Sequence, residues 1–213
     1  MSWASKAALV TDRGTLRADS ADVVGTSAPA QLSLIFVRCF ILRPVYSLAN
    51  AAIVKRKVYV ETSVISYLTA RPSKTILGAA HQQITAAWWE QRFKYELLIS
   101  ESVLTECGAG DPDAAQSRLA VVANLPLLII TENSLQIAEA LLERDIIPPK
   151  AAEDALHIAV ATVYGVDYLL TWNCRHIANP EIQRNIAAYL EQVGLCLPFI
   201  CTPEELLGEE NAE

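Results

Sequence analysis

The chain has 213 residues, of which 52% are hydrophobic, and a formal charge of −7. That length fits one domain with an extension, and the apolar content is enough for a packed core, so a wholly disordered chain is excluded. The acidic balance argues against a broad basic coat for nucleic acid, although a metal ion can supply positive charge at one site.

The five cysteines, Cys39, Cys107, Cys174, Cys196 and Cys201, are odd in number and form no CxxC pair. They suggest neither a disulfide framework nor a zinc ribbon, and read as scattered thiols in a reducing cytoplasm.

Residues 1–53 differ from the rest. Ser, Thr, Ala and Asp dominate up to Gln31, and an apolar run from Leu32 to Val54 follows, interrupted by Arg38 and Arg43. The run has about the 20 residues a membrane span needs. Each arginine near its middle would cost roughly 2.5–3.5 kcal/mol, and the run begins too late for a signal peptide. No membrane association is expected; a membrane tether is the alternative. The segment is expected to be a disordered extension or a start-site artefact, with translation beginning at Val54 or nearby. Residues 54–207 are expected to form the domain, and 208–213 an acidic tail.

Within the domain, Val58, Tyr59 and Val60 predict a first strand over 58–60. A short helix over 62–68 follows, broken by Ala70-Arg71-Pro72-Ser73. A long helix over 75–94 carries Ile76, Leu77, Ala80, Ile84, Ala87 and Trp88 at helical spacing, with Trp88 in the core. A strand over 96–100 leads into a short helix through Val103, Leu104 and Glu106, stopped near Gly108 and Gly110. Asp111-Pro112 opens another helix in the expected cap-then-proline order.

A strand over 127–131, helices over 133–144 and 150–164, a strand over 168–171, a helix over 180–193 and a strand over 197–201 complete the pattern, with a terminal helix from Thr202. Strands alternating with helices predict an α/β domain with three layers, α/β/α, around a central, mostly parallel sheet. Such sheets place their sites beyond the carboxyl ends of the strands.

Three acids stand where that rule points. Glu61 ends the first strand, Glu106 lies on the helix after the second, and Asp154 lies in the first turns of the helix before the fourth. Asn173 stands just past the fourth strand. Carboxylates within about 4–6 Å raise one another's pKa unless a cation compensates. Mg²⁺ or Mn²⁺ prefers such oxygen ligands and can activate water against a phosphodiester. Each residue also has a plainer reading: Glu61 as a helix N-terminal acid, Glu106 as a solvated helix residue, and Asn173 as a cap. Asp154, set among Ala151, Ala155 and Ala159, is the least easily explained as surface.

The run Val58-Tyr59-Val60-Glu61-Thr62-Ser63-Val64-Ile65-Ser66-Tyr67-Leu68 resembles the opening of PIN domains. So do Glu153-Asp154-Ala155-Leu156-His157-Ile158-Ala159-Val160-Ala161 and Asp167-Tyr168-Leu169-Leu170-Thr171-Trp172-Asn173. With Ser102-Val103-Leu104-Thr105-Glu106, the ordered set is similar to the VapC-type toxins of bacterial toxin–antitoxin pairs.

The resemblance implies a PIN-like fold and a metal-dependent endoribonuclease using Mg²⁺ or Mn²⁺. Glu61, Glu106 and Asp154 would be metal ligands, and Asn173 a further catalytic position. It also implies an RNA substrate, a cognate antitoxin that blocks the acidic groove, a homodimer and a cytoplasmic location. The family usually has aspartate where Glu61 stands and often a fourth acid where Asn173 stands. Those departures leave a weak or inactive PIN-like module, binding RNA or a protein partner, as the alternative.

Thr62, Ser63 and Thr171 are expected to support the ligands or cap helices. Arg71, Lys74, Arg175 and His176 are candidates for contacting substrate phosphate. His157 shares a helix face with Asp154 and is read as packed or hydrogen-bonded. One of Trp88 and Trp89 is available to a partner. Asp167 begins the fourth strand, away from the site.

Overall fold

The computed structural model describes residues 54–207; the expected N-terminal extension (1–53) and acidic tail (208–213) lie outside the described residues. Five strands form one sheet in the order β3-β2-β1-β4-β5. They are β1 (Arg56–Val60), β2 (Tyr95–Ser100), β3 (Leu127–Leu128), β4 (Tyr168–Leu170) and β5 (Phe199–Cys201). Every pairing is parallel.

The helices are α1 (Thr62–Thr69), α2 (Ile76–Glu90), α3 (Glu101–Cys107), α4 (Pro112–Val122), α5 (Glu132–Glu143), α6 (Ala152–Val163), α7 (Pro180–Gln192) and α8 (Pro203–Leu207). Arg92–Lys94 and Pro149–Ala151 are single 3₁₀ turns.

The central strand shows why the architecture has three layers. Tyr59 and Val60 point to opposite faces of the sheet, and both are fully buried. Leu169 and Leu170 of β4 repeat this. A strand apolar at successive positions is what a parallel sheet covered on both faces requires. The fold is therefore the α/β/α, PIN-like arrangement expected from the sequence.

The chain runs from β1 outward through β2 to β3, then returns to build β4 and β5 on the other side. The strand order reverses between β1 and β4, so the carboxyl ends of those two strands flank the crevice where such folds place their sites.

Three differences from expectation have local causes. Strand β3 is two residues long rather than five. The amide of Ile130 donates to the Glu101 carboxylate at 2.8 Å, and the Ile129 carbonyl accepts from the Tyr164 hydroxyl at 2.9 Å. Side chains thus satisfy backbone groups that a longer ladder would have used. Helix α2 stops at Glu90, where the amide of Gln91 turns back to Trp88 and Trp89. The stripe on α2 is also incomplete, because Ile76 is 92% exposed while Trp88 is fully buried. Among the described residues, Cys107, Cys174 and Cys201 are free thiols. No helix among the described residues is long and apolar enough to cross a membrane.

Candidate active site

Glu61 is the first residue beyond β1 and the N-cap of α1. Its amide donates to the Leu170 carbonyl at 3.0 Å, which ties it to the end of β4. Glu61 is buried, at 6% exposed. One oxygen accepts the Ser63 amide at 3.0 Å; the other accepts the Ser63 hydroxyl and, at 2.6 Å, the Thr171 hydroxyl.

The turn after β4 is held from several sides. The Trp172 amide donates to the Ser63 hydroxyl at 2.8 Å, and the Trp172 indole donates to Thr85 at 2.7 Å. The Trp172 ring also stacks on His81 with centroids 3.9 Å apart. These contacts fix Thr171 against Glu61 and present Asn173 beyond it.

Glu106 sits in the last turn of α3, which Ser100 caps. It accepts the Thr62 hydroxyl and lies 3.1 Å from Nε2 of His157. His157 comes from α6 and is 1% exposed. Its Nδ1 lies 2.7 Å from the Tyr59 hydroxyl, which lies 2.7 Å from the Ser100 hydroxyl. A hydrogen-bonded chain therefore runs from buried Ser100 through Tyr59 and His157 to Glu106, whose side chain is 31% exposed and also accepts Thr62.

Burial pushes the Glu106 carboxyl up, but the hydrogen bond and charge of His157, with the Thr62 hydroxyl, outweigh it and hold it below the ordinary value. Burial disfavours charge on His157, yet Glu106 overcomes it, aided by Glu61 and Asp154, so the imidazole is raised. Burial, reinforced by Glu61 and Glu106, keeps the Tyr59 phenol protonated, against the opposing Ser100 bond.

Donor atoms of Glu61, Glu106 and His157 all lie within 4.8 Å of one another. Asp154, in the first turn of α6, is outside that set. Its oxygens accept Asn173 Nδ2 at 2.9 Å and face His176 Nδ1 at 2.9 Å. Asn173 Oδ1 accepts the amides of Arg175 and His176 at 3.3 and 3.1 Å, so the amide acts as the cap of its own turn.

Arg71, Lys74 and Arg175 are exposed. Arg71 lines a cavity of about 580 Å³ with Ser66, Thr69, Asp111, Asp113 and Arg118. Asp167 is held by Arg56 and the Lys57 amide at the opposite ends of the strands. Tyr59 and Ser100 were not singled out from sequence. The available signal was a tyrosine inside a buried strand, whose hydroxyl requires a polar partner.

Fold and site together define a PIN-like α/β domain with a carboxylate–imidazole cluster at its topological switch point. No family model and no curated protein matches the chain. The solved structures similar to it include these two. VapBC2 from Rickettsia felis, bound to a DNA fragment from its promoter, shares 14% identity with a TM-score of 0.45, over 68% of this chain and 98% of that one. VapC20 from Mycobacterium tuberculosis, a sarcin–ricin loop cleaving toxin, shares 21% identity with a TM-score of 0.40, over 53% of this chain and 86% of that one. At such identities, what those proteins bind or cut is said of them alone.

Proposed function

We propose that residues 54–207 form a metal-dependent endoribonuclease, the toxin of a toxin–antitoxin pair, acting in the cytoplasm as a homodimer that its antitoxin blocks. The observation that carries this reading is the convergence of Glu61 and Glu106, with His157, from β1, α3 and α6 onto one point beyond the sheet. A carboxylate cluster of this kind suits a hard divalent ion such as Mg²⁺ or Mn²⁺. Such an ion, when bound, acidifies a water and neutralises charge developing on a phosphate.

The chain's own residues do the rest. Glu61 and Glu106 would hold the ion. Thr62, Ser63 and Thr171 orient those carboxylates through their hydroxyls. Asp154 brings a third carboxylate from α6, held in place by Asn173 and His176. The exposed Arg71, Lys74 and Arg175 contact the RNA backbone.

The test is cleavage of a panel of structured and single-stranded RNAs in Mn²⁺, in Mg²⁺ and with chelator. Wild-type cleavage should need the ion, and Glu106→Gln should lower it about 100-fold, the scale of a few kcal/mol of transition-state stabilisation. Equal cleavage by the variant overturns the mechanism.

A second reading is favoured by one feature. Both oxygens of Glu61 and the side-chain oxygen of Asn173 are already engaged by donors. A PIN-like module that binds RNA or a protein without cutting would keep them so. Absence of Mn²⁺ binding at millimolar concentration selects that reading.

A further inference from the structure

We infer that His157, rather than Asp154, is the third ligand of the ion, which makes the site a mixed nitrogen–oxygen centre selective for Mn²⁺ over Mg²⁺. The inference rests on the metal-nuclease reading above and concerns only which atoms complete its site.

Position speaks first. A ring nitrogen of His157, and no Asp154 oxygen, forms a set with donor oxygens of Glu61 and Glu106 that all lie within 4.8 Å of one another. Its 3.1 Å separation from Glu106 is what two ligands at about 2.1 Å from one ion show when they sit at right angles. Asp154 lies outside that set, with its oxygens beside Asn173 and His176 on the turn after β4.

The support behind the ring speaks second. A ligating histidine almost always donates its other ring N–H to a fixed acceptor, which sets the tautomer and the ring orientation. The Tyr59 hydroxyl stands at 2.7 Å from Nδ1, and it is fully buried. Ser100, also fully buried, fixes that hydroxyl from β2 at 2.7 Å.

Hydroxyls donate or accept, so this chain can run in either sense. With Tyr59 donating to Nδ1, the proton on Nε2 points at Glu106. With the chain reversed, Nδ1–H donates to Tyr59, Tyr59 donates to Ser100, and the Nε2 lone pair faces the carboxylates. The protein can thus offer an imidazole nitrogen to an ion without moving a heavy atom of the Tyr59–Ser100 pair.

The chemistry then sets the preference. Carboxylates suit Mg²⁺ and Mn²⁺ alike, but Mg²⁺ demands near-ideal oxygen coordination and gives up its waters reluctantly, so an imidazole in the set penalises Mg²⁺ more than Mn²⁺.

The experiment is pulsed electron paramagnetic resonance of the full chain loaded with Mn²⁺, read for coupling to a directly bound ¹⁴N. Wild type and His176→Gln should both show the coupling. His157→Gln should lose it, and its preference for Mn²⁺ over Mg²⁺, measured by competition binding, should fall about tenfold or more. Tyr59→Phe keeps the ring but removes its orienting partner, and Mn²⁺ affinity should drop about 10-fold, the scale of such outer contacts.

Mn²⁺ bound to wild type with no nitrogen coupling overturns the inference and leaves the metal-nuclease reading standing. Coupling lost in His176→Gln and kept in His157→Gln also overturns it. No Mn²⁺ bound at all overturns the metal-nuclease reading itself. The wild-type and His176→Gln spectra decide the matter even where His157→Gln does not fold.

Discussion

Glu61 accepts three donors on two oxygens while almost wholly buried: the Ser63 amide, the Ser63 hydroxyl and the Thr171 hydroxyl. An ionised carboxylate has acceptor capacity for all three at once and no donor to set against them. Glu61→Gln would turn an amide N–H₂ toward at least one donor and leave buried groups unpaired, at a cost of about 1–3 kcal/mol. Urea unfolding in the presence of a chelator should show that loss; unchanged stability would mean that Glu61 is not held this way in solution.

The same residue shows how much of the site was legible. A strand end followed by an acid and a capping hydroxyl pointed to Glu61 and Thr62, and the turn after the fourth strand pointed to Thr171. The Tyr59–His157 link was not legible, because its partners are 98 positions apart and a hydrophobicity pattern counts tyrosine as apolar. Nor could spacing tell whether Asp154 or His157, one turn later on α6, faces Glu106. That depends on the rotation of α6 about its own axis, which tertiary packing sets.

At the scale of elements, helix and strand order followed from periodicity, and the misses fall at ends. Strand β3 was expected to reach Thr131, but Glu101 and Tyr164 capture the backbone groups at 129 and 130. Thr131 becomes instead the N-cap of α5, in a reciprocal capping box with Ser134. Long-range side-chain capture of this kind leaves no mark on a local pattern.

The end of α6 is clearer. Gly165 has φ of +58°, its amide donates to the Thr162 carbonyl at 3.0 Å, and the Val166 amide donates to Ala161 at 3.2 Å. This paired closure ends the helix that carries Asp154 and His157 and turns the chain into β4. A Cβ at Gly165 would meet nothing within 4 Å. The cost of Gly165→Ala is therefore backbone strain alone, about 1–2 kcal/mol. Denaturant midpoints should fall accordingly, with the m-value unchanged. A larger loss would show that packing, not the left-handed conformation, governs the turn.

Taken whole, the chain is acidic, at −7, and this constrains how it could hold RNA. A protein without a basic coat gains little from general phosphate attraction, so binding would depend on a few placed cations and on the ion. In the proposed function those cations are Arg71, Lys74 and Arg175, all exposed.

Single-stranded nucleic acid gives a salt slope of about −0.7 for each phosphate neutralised, so three contacts predict a slope of about −2. Binding of a short single-stranded RNA by Glu106→Gln, with chelator present, should follow that slope between roughly 50 and 200 mM salt. Arg71→Ala should make the slope shallower by about 0.7. A slope near zero would remove all three residues from the interface. A slope steeper than about −4 would require a basic surface beyond the three named cations. The acidic charge gives the intermediate value its meaning: it leaves local contacts as the main source of salt dependence, so each of the three can be counted by substitution.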